Sequence, residues 1–214
     1  IGALVQKNPS LAPEICQLLH KELKDKDNKD VQHSAADALI SIRDTLLTAT
    51  ESTDSSARKA AAAVLAQHLK KDSAPGDVAA IFEQAGKQNS YELTISLAKR
   101  VAADAANLST QALCLAIENV IMGIHGAHGP AIRVLSKRYL EGREQGSQAI
   151  RDTFLTATEG RSAKAAAETL VQHLKKDSDP KDVKAIFEQA KKSNVLNKQL
   201  VNCVKADAAN LPTQ

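Results

Sequence analysis

Residues 45 to 111 of this chain return, recognisably, as residues 153 to 214. Thr45-Leu-Leu-Thr-Ala-Thr-Glu51 recurs as Thr153-Phe-Leu-Thr-Ala-Thr-Glu159, 108 residues further on. Gln67-His-Leu-Lys-Lys-Asp-Ser73 and Ile81-Phe-Glu-Gln-Ala85 recur 105 residues on, and Ala103-Asp-Ala-Ala-Asn-Leu108 recurs after 103. Short deletions between helices account for the drift, so the chain reads as an internal duplication of about 105 residues. A copied unit buries its apolar face against its neighbour, and such arrays are more often surfaces than catalysts.

The residue choice says which elements are stacked. Aromatics are 2% of the 214 residues and Trp is absent, while Ala and Leu fill the apolar positions. Small and unbranched side chains suit close-packed helices, and sheets favour the opposite. An all-α fold is expected. Cys16, Cys114 and Cys203 are odd in number, lack C-x-x-C spacing and sit among apolar residues. They read as reduced core thiols, which suits a reducing, cytoplasmic compartment. No apolar run reaches the length of a membrane span, and Ile1-Gly-Ala-Leu-Val5 has neither a basic start nor a cleavage pattern. A net charge of +3 is mildly basic and dictates no partner.

Along the chain, apolar residues recur with helical spacing between polar caps. The spacing predicts a first helix after Ser10, with Pro13 in its first turn and Ile15, Leu18, Leu19 and Leu23 on one face. Lys24 to Lys29 forms a charged turn, and Asp30 to Ile42 the second helix. Further helices are expected over 55–71, capped by Asp54, and over 77–88, 90–106 and 112–124. The last of these, capped by Ser109 and carrying Leu113, Ile117, Val120, Ile121 and Ile124, is the most apolar. A Gly- and His-rich break follows, and the second set of helices is expected over 131–142, 147–158, 162–176, 180–192 and 194–209. The implied organisation is a first unit over 1–124, a connecting turn over 125–130 and a truncated second copy over 131–214.

Asp30-Val31-Gln32, the pair Ala35-Ala36, Ala38-Leu39 and Ile42 resemble the second helix of a HEAT repeat, with Gln32 where Arg is usual. Weaker echoes are Asp54 to Arg58 with Ala61, Ala62 and Leu65, and Gly160 to Lys164 with Ala166, Ala167 and Leu170. Residues 75–108 lack the pattern. The resemblance implies a right-handed α-solenoid of about ten or eleven helices, with a groove lined by the second helix of each pair. An irregular helical bundle is the alternative.

The most faithful part of the recurrence is polar. His68, Lys70 and Lys71, with His173, Lys175 and Lys176, form the candidate partner-binding set, because an identical polar surface presented twice suits a repetitive or two-fold partner. The same residues also serve structure: lysines ending a helix complement its dipole, and Asp-Ser before Gly or Pro starts the next. His125 and His128 have metal-ligand spacing but no third ligand near them, so no metal site is expected. No nucleophile, metalloprotease, P-loop or dinucleotide motif is present, and no catalytic residue, cofactor or small-molecule substrate is expected.

The reading is a non-enzymatic scaffold that binds a protein or peptide on its helix-lined surface. The alternative is a nucleic-acid-associated solenoid using Arg58, Lys59, Lys70, Lys71, Lys164, Lys175 and Lys176, set against 25 acidic residues and almost no aromatics to stack on bases. Both ends look cut within a repeat, which predicts a longer chain or larger assembly and an apolar face where a neighbouring helix stacks.

Overall fold

The computed structural model describes residues 5, 8, 11, 12, 14, 15, 18, 19, 29–87, 90–119, 122, 123, 125–141, 147–160, 162–174 and 178–207. Among these, ten α-helices and one 3-10 turn have both ends described, further helical residues include 12, 14, 15, 18, 19, 122 and 123, and no strand occurs. The helices are α1 (Lys29–Ala49), α2 (Ser55–His68), α3 (Pro75–Gly86), α4 (Tyr91–Asp104) and α5 (Thr110–Glu118), then α6 (His128–Glu141), α7 (Ser147–Ala157), α8 (Ala163–His173), α9 (Pro180–Ala190) and α10 (Asn194–Asp207). None is long and apolar enough to cross a membrane. Ser10, Pro13, Leu23 and Cys16 lie outside the described residues, as do Lys175 and Lys176.

Local chemistry sets the helix ends. Asp54 caps α2 by accepting from the Ser56 N–H at 2.8 Å, and Asp179 caps α9 by accepting from Lys181 at 2.8 Å. Pro75 and Pro180 open α3 and α9, where a missing N–H costs nothing. Ser109 accepts from Ala112 ahead of α5. Several ends differ from expectation. α1 runs past Ile42 to Ala49, burying Leu46, while the Thr45 and Thr48 hydroxyls are satisfied by the carbonyls of Ser41 and Asp44. α2 stops at His68 rather than residue 71, since Leu69 leaves in an extended conformation that buries its side chain completely. The apolar helix expected to reach 124 stops at Glu118, where Asn119 takes the Met122 N–H on both its carbonyl and its side-chain oxygen.

The chain forms two compact units, residues 1–100 with 107–112 and residues 101–106 with 113–214. In the first, α1 packs on α2 and α3 over a core that includes Ile42, Leu46, Leu65, Val78 and Ile81. In the second, α6 packs on α7 and α8, α7 on α8 and α9, and α10 on α8 and α9. Leu135, Tyr139, Ile150, Phe154, Leu170 and Ile186 are buried there. In the second unit α6, α7 and α8 thus each pack on the helix two places further along, as α1 does on α3 in the first.

Polar ties follow the same rule. Arg43 on α1 forms an ion pair with Asp77 on α3, 34 residues away, and also holds Asp44 at 2.7 Å. Arg151 on α7 pairs in the same way with Asp182 on α9 and with Asp152 at 2.8 Å. The Gln84 amide donates to Glu51 at 2.8 Å and to Thr50 at 3.2 Å; the Gln189 amide donates to Glu159 at 2.9 Å and to Thr158 at 3.3 Å. The bond from Gln84, and then the charge of Lys87, hold Glu51 below the usual carboxylate range. Arg58 reaches Glu92 at 3.3 Å in the first unit only, because Ala163 and Val195 stand at the corresponding positions of the second.

Candidate functional site

The two recurring His-Leu-Lys-Lys-Asp-Ser turns share the features of their described residues, His, Leu and Ser. α2 ends on His68, Leu69 turns inward, and the Ser73 hydroxyl donates to the His68 carbonyl at 3.1 Å while accepting the Lys70 N–H at 2.8 Å. α8 ends on His173, Leu174 is buried, and the Ser178 hydroxyl donates to the His173 carbonyl at 3.0 Å. Leu and Ser therefore account for the fidelity of the turn: one pins it to the core, the other closes it. Lys70 and Lys71 are exposed and follow the helix end rather than forming its last turn. His68 and His173 are half-buried.

His173 also takes part in a cluster that sequence reasoning missed. Its ring stacks on Tyr139, with centroids 4.0 Å apart and planes inclined by 29°, and its Nε2 lies 3.9 Å from Asp182. Tyr139 is fully buried and meets Phe154 edge to face at 6.1 Å. Its hydroxyl has no hydrogen-bond partner among the described residues. Burial, and then the nearby Asp182 carboxylate, push the phenol well above its ordinary pKa, so it stays protonated.

The Gly- and His-rich segment is a packed corner. Gly126 takes φ +81°, a left-handed conformation that only glycine adopts without strain. His128 opens α6, with Nε2 3.0 Å from the Asn119 carbonyl and Nδ1 3.2 Å from the Ser162 hydroxyl. Because a carbonyl only accepts, Nε2 carries a proton, and Nδ1 lies within hydrogen-bond reach of the serine hydroxyl. Both histidine nitrogens are thus engaged, and no three His, Cys, Asp or Glu side chains among the described residues gather to hold a metal ion. A cavity of about 240 Å³ beside this histidine is lined by Ile117, Glu118, Thr153 and Ser162. Thr153 donates to Glu118 at 3.2 Å on the wall of this cavity. Cys114, buried close by, is a free thiol whose pKa burial raises, leaving it a poor nucleophile.

A Cβ on Gly123 would sit 2.6 to 2.9 Å from the His128 ring. Gly123→Ala should therefore destabilise the second unit by about 1 to 3 kcal/mol, and much less in a His128→Ala background. Urea unfolding of the four proteins of this cycle checks it. A full loss that persists without the imidazole would place the clash elsewhere.

The open apolar surface lies between α9 and α10. Phe187, Ala190, Leu200, Val201 and Val204, edged by Lys191, Lys205, Asn194 and Asn197, line a groove of about 500 Å³. Val201 and Val204 are 44% and 46% exposed. Their counterparts in the first recurring segment, Ala98 and Val101, are fully buried. Valine stands at 201 where the first recurring segment has alanine. Comparison with family models, curated proteins and solved structures gives no match for this chain.

Proposed function

We propose that this chain is a HEAT-like helical-repeat scaffold, built by internal duplication, that binds a protein or peptide on its helix surfaces and catalyses no reaction. One observation carries the reading. Ties between successive helix pairs recur at separations of 30 to 34 residues, the length of one helix pair, and use the same partners in both recurring segments. Stacked helix pairs require contacts of that period, because each pair meets the next at matching positions. A rigid array then presents side chains from successive helices at fixed spacing, which suits a helix or extended segment laid across them.

The nucleic-acid reading loses one of its cations, because Arg58 is committed to Glu92 at 3.3 Å in a part-buried pair. Free Cys114 and Cys203 fit a reducing compartment. The test is a pull-down on the immobilised chain, followed by calorimetry with each purified partner at low and high salt. A protein partner is expected, with an affinity that falls far less steeply with salt than phosphate contacts demand. Retention of nucleic acid alone, with log affinity falling steeply and linearly against log salt, would overturn the proposal.

A further inference from the structure

The geometry points to the α9–α10 groove as a docking site for an acidic amphipathic helix of a partner protein. This rests on the scaffold reading and names the place and the chemistry of its partner. Asn197, Leu200, Val201, Val204 and Lys205 fall on one stripe of α10 at helical spacing, and Phe187, Ala190 and Lys191 on α9 form the opposite side. The floor is apolar and the edges are amide or ammonium. Among the described residues no carboxylate lines the groove.

Two observations choose the occupant. The first is the burial of the counterparts: Ala98 and Val101 are closed off at 0% exposure, whereas Val201 and Val204 stay about half open. The face is thus one that, at its first occurrence, is wholly withdrawn from water. The second is charge. Between residues 180 and 207 the chain carries Lys181, Lys184, Lys191, Lys192, Lys198 and Lys205 against Asp182, Glu188 and Asp207. The corresponding stretch, 75 to 104, carries Lys87, Lys99 and Arg100 against Asp77, Glu83, Glu92 and Asp104. The second segment has therefore gained lysine where it has also left its apolar stripe open. Of its three acids, Asp182 is committed to Arg151, and Glu188 sits 2.8 Å from Lys191. A second copy docking through the same groove would set lysine against lysine. A helix with leucine-like residues on one face and Asp or Glu flanking them places carboxylates beside Lys191 and Lys205 and apolar side chains over Phe187, Val201 and Val204.

The probe is a fluorescein-labelled peptide of about 15 residues, three to four helical turns, with a leucine stripe flanked by glutamates. A control peptide carries lysines in place of the glutamates. Fluorescence anisotropy against the full chain should show saturable binding of the acidic peptide and at least about tenfold weaker binding of the control. Val201→Asp/Val204→Asp, at exposed positions that tolerate a charge, and Lys191→Glu/Lys205→Glu should each weaken the acidic peptide by at least about tenfold with unchanged circular dichroism. The lysine peptide should bind the Lys→Glu protein better than it binds the parent. Equal affinity for the two peptides, or no response to the valine changes, would overturn the inference. Self-association in sedimentation that disappears on Val201→Asp/Val204→Asp would assign the groove to a second copy and overturn it as well. A natural protein partner that binds parent and valine variant equally removes the groove and keeps the scaffold; a chain that retains no protein at all removes the scaffold reading itself.

Discussion

Tyr139→Ala should cost about 3 to 5 kcal/mol, while Tyr139→Phe should cost nothing or stabilise the protein. The two substitutions separate the ring from its hydroxyl. The ring is fully buried between the Phe154 edge and the His173 face, so its loss opens a cavity that rigid helices cannot collapse. The hydroxyl is buried without a partner among the described residues, and such a group costs desolvation with no bond to offset it. Phenylalanine keeps the packing and removes that cost. Urea unfolding, followed by NMR signals assigned to the second unit so that the units are read separately, checks both results. A loss beyond about 1 kcal/mol for Tyr139→Phe would mean that the hydroxyl has a partner after all.

That cluster shows where sequence reasoning stops. Helix starts at Asp54 and Ser109 were legible because capping chemistry acts within a few residues of where it stands, whereas α3 opens on Pro75, two residues before the expected 77. Helix ends were less so. Gln67 to Lys71 reads as uninterrupted helix former, yet the helix ends at His68 because burying Leu69 outweighs two more helical hydrogen bonds. Asn119 broke the apolar helix for a reason the apolar pattern hides, namely that its own oxygen competes for the backbone donor. The conserved look of the His-Leu-Lys-Lys-Asp-Ser turn was visible, but not its cause, because Ser73 and Ser178 act on carbonyls five residues back. The Val201–Val204 stripe has the same periodicity as the buried Leu97–Val101 stripe; only the surrounding helices decide which of the two meets water.

Phe82 and Phe187, identical in their local sequence, should therefore differ in what they contribute to stability. Both sit in Ile-Phe-Glu-Gln-Ala on helices that open with proline, and a sequence-only argument predicts equal losses on truncation. Phe82 is 6% exposed, whereas Phe187 is half-buried on the wall of the open groove. Phe82→Ala should cost about 3 to 5 kcal/mol, because the ring loses its transfer free energy and leaves a cavity. Phe187→Ala should cost about 1 to 2 kcal/mol, because part of the ring is already in water and solvent fills the space it leaves. Unfolding followed unit by unit compares the two directly. Equal losses would mean that the groove is closed in solution. A gap of about 2 kcal/mol that narrows when the acidic peptide is bound would show that covering the groove restores to Phe187 the burial Phe82 has throughout, since a ligand that binds only the folded state adds its binding free energy to stability.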